Sequence, residues 1–140
     1  RHPMPGIQQF DTTMHLLAKV LDLLARNQEV IAANIANAET PGYAAQTFTF
    51  EQELQSALST GGPRPVTSHP NHLPLAPSGL DQVQGTLTTQ RDTTGLGDEN
   101  SVSTDQEMIR LSENELLYEA AVTMLNKKLS LLKYVTNGGA

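Results

Sequence analysis

Cysteine and tryptophan are absent from this 140-residue chain, and aromatic residues make up only 4% of it. Without cysteine there is no disulfide framework and no thiolate-held zinc. That absence suits an oxidising compartment without establishing one. Large rings supply much of the apolar area of a compact core, so a single dense core is not expected. Apolar residues stand at 38%, below the roughly 45–50% (glycine included) of an average globular chain. No run approaches the roughly 18 apolar residues of a membrane-spanning helix. The opening Arg1-His2-Pro3-Met4-Pro5-Gly6 lacks the apolar region of a cleavable signal peptide, so work outside the cytoplasm would require another export route. Positive charge is scarce as well. The net charge is −6, with −4 falling between residues 46 and 100. An acidic middle is a poor match for a phosphate backbone, which needs clustered Lys and Arg. Nucleic acid is therefore not an expected partner, and direct membrane insertion is not expected either. The one cationic cluster, Lys127, Lys128 and Lys133, falls near the end of a helical pattern, where it complements the helix dipole.

The apolar residues that are present crowd into positions 14–38 and 108–135. Residues 1–11 read as a flexible leader broken by Pro3, Pro5 and Gly6. From Thr12 to Glu39 the pattern is helical: Met14, Leu17, Leu21, Leu24, Gln28, Ile31, Ile35 and Ala38 step by alternating threes and fours. This is a coiled-coil-like seam with one polar interruption, Gln28. Val20, Leu23 and Val30 widen the stripe. Pro41 disfavours helix at the residue before it, so Thr40 is the expected last position, and Gly42 permits a sharp turn. Phe48-Thr49-Phe50 alternates as a short extended piece would. Phe50, Leu54 and Leu58 then repeat every four residues, as in a short amphipathic helix.

Residues 59–101 contain six Gly and five Pro. The segment is longer than an ordinary connection and reads as a flexible or small β insert, with one strand near Val83, Thr86, Leu87 and Thr88 around Gly85. A last helix follows over 102–140. Ser103 with Gln106, or Thr104 with Glu107, forms its capping box. Met108, Leu111, Glu115, Tyr118, Val122, Leu125, Leu129 and Leu132 form its seam, interrupted at Glu115. Leu116, Met124 and Leu131 belong to a second stripe. Asn137-Gly138-Gly139 is the expected stop. The expected fold is mainly α: two long terminal helices packed as an antiparallel coiled-coil-like pair, with residues 12–58 and 102–140 forming one helical unit. A two-helix hairpin buries the seams and leaves the second stripes wet. Because burying a Leu or Val stabilises by about 1.5–3 kcal/mol, the surplus stripes call for cover, either from neighbouring subunits or, in a closed hairpin or three-helix unit, in part from residues 50–58.

The densest local signal is Ala33-Asn34-Ile35-Ala36-Asn37-Ala38-Glu39-Thr40-Pro41-Gly42-Tyr43. Asn34 and Asn37 share a helix face and are suited to bonding between subunits or to backbone, while Thr40 to Tyr43 make the exit turn. This string resembles the amino-terminal signature of the flagellar axial proteins. The chain is most similar to the flagellar basal-body rod protein family, and to its proximal rod members in particular. The polar step Leu24-Ala25-Arg26-Asn27-Gln28-Glu29, the stretch Ser68-His69-Pro70-Asn71-His72 and the segments Glu113–Tyr118 and Leu125–Leu129 support the likeness. Ala44-Ala45-Gln46 departs from it by lacking the basic residue often found after the tyrosine, and Ser103 replaces a common acid.

The resemblance implies a structural rod subunit, a helical inner domain stacking into a tube across the periplasm, and export by the flagellar type III apparatus without signal cleavage. It implies partners among copies of itself, other rod proteins and the membrane-ring adapter. The expected assembly residues are Leu17, Leu21, Leu24, Ile31, Asn34, Ile35, Asn37, Thr40, Pro41, Gly42, Tyr43, Met108, Leu111, Tyr118, Val122, Leu125, Leu129 and Leu132. The alternative reading is a monomeric helical adaptor or export-linked chaperone.

Chemistry is sparse. His69 and His72 lack a nearby third ligand and suit a surface turn better than a metal site. His15 lies off the seam and reads as solvated. There is no nucleophile elbow and no phosphate-cradling glycine loop. No catalytic, cofactor or metal site is expected, and the chain does not read as an enzyme.

Overall fold

The computed structural model describes residues 5–60, 78–90 and 102–138. Within them the chain forms α1 (Pro5–Ala36), β1 (Gln46–Thr49), α2 (Glu51–Thr60), α3 (Ser78–Asp81), β2 (Thr86–Thr89) and α4 (Thr104–Thr136). Helix α1 starts at Pro5, so most of the leader expected over residues 1–11 is helical. The first N–H groups of a helix have no partner, so a proline there forfeits no bond, and its fixed φ is already helical. The helix ends at Ala36, short of the expected Thr40. The Asn37 side chain donates back to the Ala33 carbonyl at 2.8 Å, and tighter turns follow from Ala38 to Ile35 and from Thr40 to Asn37.

Helix α4 begins where its cap predicts. Ser103 is extended, and its hydroxyl accepts from the Gln106 N–H. The helix ends at Asn137, whose N–H bonds the Lys133 carbonyl, ahead of Gly138 at φ 76°. Its 33 residues span about 50 Å. The Asn114 amide donates to the Leu24 carbonyl, while Glu107 and Arg110 wall a recess shared with Val30 and Ile31. The two long helices therefore run antiparallel.

Strands β1 and β2 form a two-stranded antiparallel ribbon that pairs Phe48 with Leu87 and Thr49 with Thr86. The Glu53 carboxylate holds the approach to β2, accepting from the N–H groups of Gln84 and Gly85 at 3.2 and 3.1 Å. Gly85 sits at φ +78°, and a Cβ there would stand 2.3 Å from the outer end of the Phe48 ring, so only glycine lets the ring approach the backbone this closely. The Phe48 and Phe50 rings tilt against each other with centroids 5.9 Å apart.

The apolar core consists of Leu23, Leu24, Phe50 and Val83, with Val20, Phe48, Leu54 and Ala57 packed against it. This corrects part of the surface argument made from sequence. The second stripe of α1 is not left wet: Leu23 has no exposure at all, and Val20 joins the core. The segments around the ribbon, α2 and α3 supply the cover: Phe50, between β1 and α2, and Val83, between α3 and β2, lie in the core, and Leu80 of α3 is buried as well. Leu58 departs from its expected helix face and stays exposed.

Candidate assembly surface

The signature string builds an intramolecular clasp. Asn34 is 1% exposed. Its Nδ2 donates to the Gln46 carbonyl at 2.7 Å, and its Oδ1 accepts from the Gln46 N–H at 3.0 Å. The side-chain amide thus reads the backbone as a neighbouring strand would and fixes the start of β1 against α1. The Tyr43 hydroxyl donates to the same Oδ1 at 3.0 Å. Asn37 and Thr40 join through Oγ1 to Oδ1 at 3.2 Å. Thr40 to Tyr43 closes with an N–H to carbonyl bond. With Pro41 second and Gly42 third at φ 76°, this has the form of a type II turn. Of the two roles expected for these asparagines, bonds to backbone are what both make. Pro41 and Gly42 remain at the surface.

A second polar cluster crosses the helix pair. Asn114, 3% exposed, donates to the Leu24 carbonyl at 3.0 Å and to Gln28 Oε1 at 2.8 Å, and accepts from Asn27 Nδ2 at 2.8 Å. Gln28 in turn reaches Glu115 at 3.4 Å. The two polar interruptions read from the sequence, Gln28 and Glu115, therefore meet in space. A satisfied polar layer of this kind fixes the register of a helix pair, because any slip strands buried donors and acceptors.

The expected seam residues divide into two groups. On α1, Leu17, Leu24 and Ile31 are buried at seven-residue spacing, and Leu21 and Ile35 are half-buried. On α4, Leu111, Val122, Leu125 and Leu132 are half-buried, but Met108, Tyr118 and Leu129 are exposed. The residues buried instead are Glu107, Asn114 and Ala121, again seven apart; none of them is on the expected seam, and Ala121 alone belongs to the second apolar stripe. Helix α4 is rotated so that a seam of small and polar residues meets α1. The signal for it was the heptad spacing of Asn114 and Ala121, overshadowed by larger apolar neighbours. The physical cause is the polar layer: Asn114 finds three partners on α1, where Met108 or Leu129 would find none.

What the rotation leaves outside is the candidate surface. Leu116 is 69% exposed, Val135 61%, Ile109 59% and Met124 57%. Of the twelve large hydrophobics exposed among the described residues, ten lie on α4. Next to them, Leu24, Val30 and Ile31 of α1, Thr47 and Phe48 of β1, and Glu107, Arg110 and Glu113 of α4 wall a recess of about 180 Å³. Glu107 is 3% exposed. Its Oε1 accepts from Arg110 at 3.0 Å, while its Oε2 and the Thr47 hydroxyl are buried without a hydrogen-bond partner.

His15, read as solvated from the sequence, contacts Asp81 of α3 through Nε2 at 2.8 Å, because α3 folds back along α1. Among the described residues no group of three metal-ligating side chains comes together; His69 and His72 lie outside those residues. No helix among the described residues is long and apolar enough to cross a membrane.

Residues 21–43, which hold the polar layer's α1 half and the clasp's side chains from Asn34 to Tyr43, match the family model for flagella basal body rod proteins. The likeness extends well beyond that segment. The chain is 32% identical to the flagellar basal body rod protein FlgB of Salmonella typhimurium over 95% of this chain and 99% of that one. The FlgB of Aeromonas hydrophila is 36% identical over 89% of this chain and 92% of its own. That of Escherichia coli K12 is 30% identical over 95% and 99%. With its clasp, helix pair and full-length likeness, the chain belongs to the FlgB family of flagellar basal body rod proteins.

Proposed function

We propose that this chain is a structural subunit of the bacterial flagellar basal-body rod, serving motility and assembling through its terminal helices with copies of itself and with other rod proteins. The observation that carries the reading is the apolar surface of α4, ten large side chains open to water on one 33-residue helix. Contiguous apolar patches of this kind mark interaction surfaces, and a closed monomeric adaptor has no use for them. In the rod, the subunit lies in the basal body across the periplasm and meets the membrane-ring adapter, having been exported by the type III apparatus. The chemistry is that of association, with no turnover.

In this reading, assembly and stability draw on different residues. Asn34, Asn37, Thr40 and Tyr43 hold the subunit's own shape. Leu125 is in the seam against α1, so changing it confounds folding with assembly. Leu116 is the cleaner probe. In a flagellated bacterium lacking its own FlgB, the parent chain is expected to restore rods and swimming. A Leu116→Asp chain is expected to keep the parent's thermal midpoint and restore neither. Intact rods and normal swimming with Leu116→Asp, or basal bodies purified without the parent chain in them, would refute the reading.

A further inference from the structure

Among the described residues, two buried side-chain atoms lack a hydrogen-bond partner, Glu107 Oε2 and the Thr47 hydroxyl. They belong to different elements, α4 and β1, yet both residues line the same recess between α1, β1 and α4. Taking such groups out of water is unfavourable until a partner bonds them. Arg110 meets only the other oxygen of Glu107, at 3.0 Å, and a carboxylate has about four lone-pair sites to fill. The recess is also acidic: Glu51, Glu107 and Glu113 stand on its wall against Arg110 alone. Its volume of about 180 Å³ is several times the roughly 30 Å³ share of one water. Val30, Phe48 and Leu117 make much of the remaining wall apolar.

Beyond the rod-subunit reading, we propose that this recess is a binding site for a guanidinium, the side chain of an arginine presented by a partner protein. An anion is repelled by the three carboxylates. A bare metal ion needs several protein ligands, and no group of three metal-ligating side chains comes together among the described residues. A cation that carries its own hydrogen-bond donors suits the wall better. An ammonium is compact and strongly hydrated, and an apolar wall offers little in place of its water. A guanidinium is planar and more weakly hydrated. Its edge donates to the Glu107 carboxylate and the Thr47 oxygen, while its faces lie against the Phe48 ring and the aliphatic side chains.

The test is a titration of the full chain with a capped Gly-Ser-Arg-Ser-Gly peptide, followed through the NMR shifts of the Thr47 and Glu107 amides. Saturable binding with a Kd on the order of 1 mM is expected for a single side chain. The same peptide with citrulline keeps the shape and loses the charge, and is expected to bind about tenfold more weakly. With lysine the expected loss is about threefold. Glu107→Gln keeps the size of the side chain and is expected to weaken the arginine peptide about tenfold, at the parent's helix content by circular dichroism. Should that chain lose helix, Thr47→Val and Glu113→Gln read the same recess from β1 and from α4, each with an expected loss of about threefold. Shifts that do not saturate at the two amides, a citrulline or lysine peptide that binds as well as the arginine peptide, or folded variants that bind like the parent would each overturn the proposal. Free methylguanidinium binding more tightly than the peptide would overturn the arginine side chain as the occupant. Every arm uses the isolated subunit, and rods and swimming are read separately, so failure here leaves the rod assignment standing.

Discussion

Replacing Asn34 with alanine removes three hydrogen bonds from a site that water does not reach. The side chain is 1% exposed, and its partners are both backbone groups of Gln46 and the Tyr43 hydroxyl. Tyr43 is half-exposed and can turn its hydroxyl to solvent, so its loss is minor. The Gln46 N–H and carbonyl cannot do the same without moving β1 away from α1. Each buried group left unpaired costs about 1–3 kcal/mol, so Asn34→Ala is expected to destabilise by about 3 kcal/mol. For a domain of this size that corresponds to a thermal midpoint lower by roughly 10–14 °C. Asn34→Asp restores the acceptor but sets a carboxylate oxygen against the Gln46 carbonyl, so it is expected to do no better. Urea unfolding followed by circular dichroism gives the free energy, and amide exchange at Gln46 gives the local opening. A loss under about 1 kcal/mol, with Gln46 exchange unchanged, would refute the clasp as the device that joins β1 to α1.

Two further predictions rest on the same packing. Gly85→Ala forces a Cβ into the Phe48 ring at a residue with φ +78°, and a loss of about 2 kcal/mol is expected by thermal unfolding; an unchanged midpoint would show that the ring is not held there. Leu24→Ala in the core is expected to cost about 2–5 kcal/mol, whereas Leu116→Ala on the open face is expected to stay within about 0.5 kcal/mol, both measured by urea unfolding of dilute protein. Similar losses at the two positions would mean that α4 presents a different face from the one described.

Much of the helical framework was legible because helix periodicity and cap chemistry are local. Ser103 and Asn137 announced the ends of α4, and the run from Met14 to Ile35 announced α1. The start of α1 was misread because proline was taken as a breaker, although at the first position of a helix it breaks nothing. The exit turn was legible in kind, since Pro41-Gly42 admits few turns, but its role was not. That Asn34 reaches Gln46 twelve residues on depends on where β1 returns, which no local rule states. Likewise, β2 was placed near Gly85 from its composition, but its pairing with Gln46–Thr49 is a contact across forty residues.

The sequence by itself determined that this protein would be two long helices with more apolar surface than one hairpin can hide, and it carried the signature of its family. Which surface stays open was a tertiary decision. The ribbon and short helices seal α1, while Asn114, bound to Leu24, Asn27 and Gln28, turns the small and polar seam of α4 inward. Apolar burial has no direction, so hydrophobic pattern alone admits several rotations of α4. Hydrogen bonds do have direction, and three of them at a buried amide select one rotation.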